Sequence, residues 1–258
     1  MSDSKLEDDL LTKVPAVTLG FWIIKILATT FGETAGDTLS MSFNFGYLVS
    51  SGIFGLLLVA LVALQIKAPK FHPFIYWATI IASTTAGTTL ADFATRSLGI
   101  GYTGGSTLLL ALVLLSLIVW HRTMGTISVA RIASARAEMF YWATITFSQT
   151  LGTALGDWAA DDGGLGYLGG ALLFGSALAV LALLYASKIA NHVALFWAAF
   201  ILTRPLGATV GDFLDKPLAN GGLDFSRPLA SATLVVAIVV LIAALPQRAG
   251  TYSAPAES

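Results

Sequence analysis

This sequence predicts an all-α, polytopic membrane fold of eight transmembrane helices built from four parallel two-helix repeats, and three observations predict it. Of its 258 residues, 56% are hydrophobic and 11% charged, whereas charged residues make up about a quarter of a soluble domain. The apolar residues come in blocks of about 18 to 24, the length a helix needs to cross roughly 30 Å of hydrocarbon. A Trp–Gly–Asp pattern returns four times along the chain. The same composition argues against other classes. With 14 basic and 15 acidic side chains the chain has no electrostatic footprint for nucleic acid, and with no cysteine it has neither disulfides nor thiolate metal sites.

Eight apolar segments follow one another: Ala16–Thr38, Tyr47–Gln65, Phe74–Phe93, Thr103–Trp120, Met139–Trp158, Tyr167–Tyr185, Val193–Phe213 and Pro228–Leu245. Lipid permits only helices and closed barrels, and the alternating strands of a barrel are missing. The chain accordingly divides into a cytoplasmic N-terminal tail (1–13), repeat 1 (14–66), repeat 2 (67–121), a cytoplasmic linker (122–138), repeat 3 (139–186), repeat 4 (187–246) and a C-terminal tail (247–258). Met1–Lys13 is polar and acidic, unlike the basic leader of a signal peptide. The C-terminal tail is small and polar and reads as disordered. Nine basic residues (Lys5, Lys13, Lys67, Lys70, Arg122, Arg131, Arg136, Lys188, Arg248) fall on the side of the termini, against Arg96, Lys216 and Arg227 opposite. By the positive-inside rule both termini are cytoplasmic. His72, His121 and His192 lie at that edge and read as solvated loop residues.

The repeat aligns without gaps: FWIIKILATTFGETAGD (Phe21–Asp37), YWATIIASTTAGTTLAD (Tyr76–Asp92), YWATITFSQTLGTALGD (Tyr141–Asp157) and FWAAFILTRPLGATVGD (Phe196–Asp212). The aspartates are 55, 65 and 55 residues apart, so the two halves repeat at 120. Each unit holds two spans and returns the chain to its starting side, which makes the copies parallel, unlike inverted-repeat transporters. Four first helices grouped about a centre with the second helices outside is the simplest arrangement; two four-helix halves about a twofold axis satisfy the same spacing. In each first helix a glycine is followed four residues later by a small residue (Gly32/Gly36, Gly87/Ala91, Gly152/Gly156, Gly207/Gly211), a seam that lets helices approach closely in lipid.

Beside that seam runs a polar stripe. It reads Lys25–Thr29–Glu33–Asp37, Thr84–Thr88–Asp92–Arg96, Gln149–Thr153–Asp157–Asp161 and Arg204–Ala208–Asp212–Lys216. Residues four apart share a helix face, and polar faces are costly in lipid, so the stripes face helices or water. From Trp22, Trp77, Trp142 and Trp197, expected at the interface, to the aspartates is 15 residues, about 22 Å of helix. That sets the aspartates in the outer third of the membrane, Glu33 one turn deeper, and Arg204 and Thr29 near the midplane. Asp37, Asp92, Asp157 and Asp212 suit either an ion site or capping of the following turn. Glu33 is the single carboxylate of its row and points to function. Lys25 and Arg204, also single-copy, are expected to balance charge or gate, alongside Thr29, Thr88, Gln149 and Thr153.

Five acids against Lys25 and Arg204 leave three negative charges uncompensated, and such carboxylates protonate or recruit cations. Oxygen ligands suit Mn²⁺, Mg²⁺ or Ca²⁺, or Na⁺ and H⁺, better than Zn²⁺ or Cu⁺. Glu33, Asp37, Asp92, Asp157 and Asp212 are therefore the candidate metal ligands, with Glu33/Asp37 the best pair. The stretches KVPAVTLGFWIIKILATTFGETAGDTLS and FWAAFILTRPLGATVGDFLDKP, with the repeated YWATI and GxxxGD elements, resemble an uncharacterised family of bacterial multi-pass membrane-anchored proteins over nearly the whole chain. That resemblance implies the bacterial plasma membrane. Gly32–Thr38 also resembles the Glu-x-Gly-Asp-Lys-Thr/Ser motif of a manganese and calcium exporter family, with one extra residue between the acids and threonine for the lysine. This second likeness implies metal export in exchange for protons. The expected function is a cation transporter, most simply for a divalent metal such as Mn²⁺; a passive cation channel and a non-transporting scaffold are the alternatives. Neither enzymatic motifs nor a permanently bound cofactor are expected. The expected partners are the bilayer and a metal cation or proton, in a monomer or homodimer.

Overall fold

The computed structural model describes residues 11–132 and 134–251. Eight α-helices occupy them: α1 Leu19–Asp37, α2 Gly46–Lys67, α3 Pro73–Asp92, α4 Gly101–Met124, α5 Ala135–Asp157, α6 Gly166–Ser187, α7 His192–Asp215 and α8 Arg227–Ala244. Side chains start several of them. Thr18, Ser134 and Ser226 accept from the backbone N–H three residues on, Asn191 accepts from two amides, and Pro73 and Pro228 stand in the first turns of α3 and α8.

The helices form two concentric layers. Around the inner ring α1 packs on α3, α3 on α5, α5 on α7 and α7 back on α1. Each outer helix leaves its own unit and covers the inner helix of the next: α2 lies on α3, α4 on α5, α6 on α7, and α8 closes the circle on α1. Of the two arrangements open from the repeat spacing, the ring is the one adopted. The units are thereby interlocked, because no inner helix is covered by its own partner alone.

Burial follows the composition of each layer. Outer helices expose large apolar residues, among them Leu48, Leu56, Val59, Leu108, Leu115, Leu172, Leu183, Val236 and Val240, an apolar belt of the kind that marks a lipid-facing surface. Five helices (α2, α4, α6, α7 and α8) are long and apolar enough to cross a membrane. The remaining three are inner helices rich in threonine. Their hydroxyls turn back onto their own helix, as when Thr79 donates to the Ile75 carbonyl at 2.7 Å and Thr85 to that of Ile81 at 2.8 Å. This satisfies polar groups that burial would otherwise leave unpaired.

The glycine seam closes the ring with a regular rule. A Cβ on Gly32 would overlap Thr84, one on Gly87 would lie 2.9 Å from the Gln149 carbonyl carbon, one on Gly152 would overlap Arg204, and one on Gly207 would overlap Thr29. Each glycine thus admits the residue of the next unit that occupies the same row. At the end where the inner helices begin, an aromatic cluster seals the ring. Tyr76 and Tyr141 share a hydrogen bond of 2.6 Å between their hydroxyls, and Phe21, Trp77, Trp142, Trp197 and Phe200 pack around them. Three of the repeat tryptophans are therefore core residues at that end of the ring; Trp77 and Trp197 donate to Gln247 Oε1 and the Ile127 carbonyl.

The expected tails and linker need correction. Leu11–Pro15 and Ala249–Thr251 pair as an antiparallel two-stranded ribbon, so residues 249–251 of the tail read as disordered are ordered, while 252–258 lie outside the described residues. Lys13 anchors the ribbon through Glu138 at 2.8 Å and the Ile66 carbonyl at 2.9 Å. Helix α5 begins at Ala135, inside the stretch assigned to the linker, because Ser134 caps it.

Gly87→Ala should destabilise the protein by about 1–3 kcal/mol, since backbone cannot yield as a side chain does. Gly52→Ala, which meets nothing within 4 Å, should leave stability equal or slightly raised. Unfolding in mixed micelles checks both; equal effects would contradict the close-approach account.

Candidate functional site

The polar stripes meet along the ring axis in stacked rows of four, one residue from each inner helix. From the aromatic end the rows are Phe21/Tyr76/Tyr141/Phe196, then Lys25/Ile80/Ile145/Phe200, Thr29/Thr84/Gln149/Arg204, Glu33/Thr88/Thr153/Ala208 and Asp37/Asp92/Asp157/Asp212. All twenty are buried. The helical spacing of four that made the stripes visible in the sequence places each row one turn from the next.

Arg204, fully buried, occupies the middle. Its Nη2 donates to Glu33 Oε2 at 2.9 Å and to the hydroxyls of Thr88 and Thr153. One guanidinium on α7 therefore grips α1, α3 and α5. Its Nε and Nη1 have no hydrogen-bond partner. One turn towards the aromatic end, the fully buried Lys25 Nζ makes long contacts of 3.5 Å to Gln149 Oε1 and Thr203 Oγ1 and lies 4.1 Å from the centre of the Phe200 ring.

At the opposite end, Lys216 Nζ bridges Asp37 Oδ2 at 2.7 Å and Asp212 Oδ1 at 2.9 Å. Arg96 repeats the pattern a half-chain away: its Nε meets Asp92 Oδ1 at 2.9 Å and its Nη2 meets Asp157 Oδ2 at 3.3 Å. Each base binds the aspartate of its own unit and that of the next. The turns explain how they reach. After α1, α3 and α5 the chain widens into single π-helical turns, Thr38–Ser42, Phe93–Ser97 and Trp158–Asp162. The fourth copy has Pro217 instead, and Lys216 before it is extended (φ −75°, ψ 152°), as a residue preceding proline must be. Asp215 and Arg227 join this cluster, with Arg227 Nε 3.6 Å from Asp215 Oδ2 and 3.7 Å from Asp37 Oδ2.

These contacts revise the charge count. Arg96 and Lys216, assigned to loops because they lie beyond the apolar blocks, face the site; their position four residues after an aspartate was the signal. Arg227 was likewise read as a loop residue, and Asp215 was missed outright; neither has a counterpart in the other repeats. Glu33 is balanced by Arg204. The acidic end then holds five carboxylates (Asp37, Asp92, Asp157, Asp212, Asp215), none more than 5% exposed, against Arg96, Lys216 and Arg227. With every carboxylate ionised, one negative charge is in excess around Lys216 and Arg227 and one around Arg96 among the described residues, two in all where the sequence suggested three. One oxygen each from Glu33, Asp37 and Asp212 lies within 4.8 Å of the others, an arrangement with the donor type for a hard cation. Asp92 and Asp157 sit across the ring around Arg96, so the five candidate ligands form two clusters and not one.

Fold and site together define a four-repeat helical protein with a buried ionic axis and several helices able to span a membrane. The chain belongs to the family described as Repeat of Unknown Function (DUF347), which matches residues 20–71, 75–126, 140–189 and 195–248. This agrees with the resemblance to an uncharacterised repeat family, and the matched stretches coincide with the four helix pairs. No curated protein and no solved structure matches the chain, so the likeness of Gly32–Thr38 to a manganese and calcium exporter gains no support.

Arg204→Met should cost about 3–5 kcal/mol, because Glu33 is left buried without its partner. Adding Glu33→Gln should recover a large part of that loss. Thermal unfolding in detergent of the two variants checks this, and an unrecovered double variant would show that the pair is not the source of the loss.

Proposed function

We propose that this protein is a multi-pass plasma-membrane cation transporter, for a divalent ion such as Mn²⁺, with all eight helices crossing the bilayer and both termini cytoplasmic. One observation carries the reading: carboxylate oxygens of Glu33, Asp37 and Asp212 converge within 4.8 Å in the buried acidic end. With its carboxylates ionised that end carries more acids than bases, and burying such an excess is costly unless a positive species shares it. The apolar belt of the outer helices and the bias of basic residues toward the terminal side support the membrane topology.

In the mechanism that follows, Lys216 stands in for the transported ion. Its ammonium already bridges Asp37 and Asp212 at 2.7 and 2.9 Å, and it sits at the end of α7, where its side chain can swing outward. An incoming cation displaces it, gathers the three carboxylates, and competes with Arg204 for Glu33. The axis is filled beyond this point by Ile80, Ile145 and Phe200, all without solvent exposure. Such an occluded axis favours a transporter over an open channel. That every carboxylate of the acidic end touches a base favours a second reading, a scaffold whose charges fix the helices in register.

In proteoliposomes with a Mn²⁺-quenched dye inside, the wild type should show saturable uptake. Asp37→Asn with Asp212→Asn should reduce it at least tenfold, and Lys216→Met should lower the half-saturating concentration. Lost stability with no flux in any form would favour the scaffold and overturn transport.

A further inference from the structure

We infer that Lys25 is a proton-binding site on the ring axis, and that its proton and the transported cation exclude one another, so that transport is an exchange of cation for protons. This rests on the cation-transport reading above. Lys25 is completely buried, and no carboxylate of the described residues lies within ion-pair reach of it. That sets it apart from the two other buried bases: Arg204 has Glu33 and Lys216 has Asp37 and Asp212. Its two polar contacts, Gln149 Oε1 and Thr203 Oγ1, are both at 3.5 Å, and the Gln149 amide nitrogen is itself unpartnered. No carboxylate of the described residues holds a proton on this amine by direct pairing.

The charges that face it are few. From α7 comes Arg204, one row away. On α1 itself the nearest is Glu33, two turns on. Helix α5 offers Gln149, which does not titrate. From α3 the row holds Ile80, and the nearest titratable group is Tyr76, tied to Tyr141 at 2.6 Å. Helix α8, which packs on α1, carries no charged residue beyond Arg227 at its start. The proton occupancy of Lys25 is therefore governed by Arg204, and Arg204 is governed by Glu33.

That chain of two contacts couples the ends of the axis. With no cation bound, Glu33 neutralises Arg204, and a proton can add to the Lys25 amine to give the ammonium. When a cation takes Glu33, Asp37 and Asp212, the Arg204 charge is no longer matched. Two cations one helical turn apart in an enclosed site repel strongly, so the Lys25 proton leaves. One proton is released for each cation bound and no other covalent bond changes, so exchange of a divalent ion for this proton carries one net positive charge per cycle.

The test uses the full chain in proteoliposomes with Mn²⁺ outside and a pH-sensitive dye inside. Wild-type uptake of Mn²⁺ should make the interior more alkaline, and an inside-acid gradient should drive Mn²⁺ accumulation. Lys25→Met, and Lys25→Gln as a second variant should the first fail to fold, should retain Mn²⁺ flux while losing the gradient-driven accumulation at least tenfold. Lys25→Arg, which keeps a permanent charge, should suppress flux. Mn²⁺ flux without proton movement in the wild type, or coupling unchanged in both neutral variants, would overturn the inference while leaving transport standing. Absence of any Mn²⁺ flux in the wild type overturns the transport reading, and this inference with it.

Discussion

The contact on which the ring depends is that of Arg204 with Glu33, Thr88 and Thr153. A single guanidinium on one inner helix reaches the other three, and it does so because the glycine seam lets four backbones come close enough. Gly152 shows the dependence directly, since any side chain there would displace the arginine. A buried ion pair adds little net stability once desolvation is counted. Its value here is registration: Nη2 of one arginine meets partners on the other three inner helices only when the four are in register.

Around that point the molecule carries three degrees of symmetry. The backbone is fourfold, with every outer helix handed to the next inner one. The acidic end is twofold, because Arg96 and Lys216, 120 residues apart, each clip the aspartates of two neighbouring units. The deep residues Lys25, Glu33 and Arg204 occur once each. Packing follows from the repeated part and chemistry from the departures.

Much of this was legible in the sequence because the helical period writes a helix face as every fourth residue. The glycine seam and the stripe beside it are read that way, while the repeat gave the four aspartates and left the ring as one of two possible groupings of the helices. What escaped were contacts made by chain reversals. Arg96 and Lys216 lie past the apolar blocks, and only a π-helical turn in one case and Pro217 in the other return them to the axis. The pairing of residues 11–15 with 249–251 joins the two ends of the chain, a contact without local pattern. The burial of three repeat tryptophans was also not legible, because an aromatic at a helix end suits a bundle surface as well as a sealed core.

The central claim is that the excess negative charge of the acidic end exists to be shared with a mobile cation. Titration calorimetry of the purified protein with Mn²⁺ tests it without requiring transport. The account predicts one saturable site in the wild type that disappears when Glu33 and Asp37 are replaced by their amides, with the fold retained. Binding that survives those replacements, or no binding to the intact protein, would contradict it.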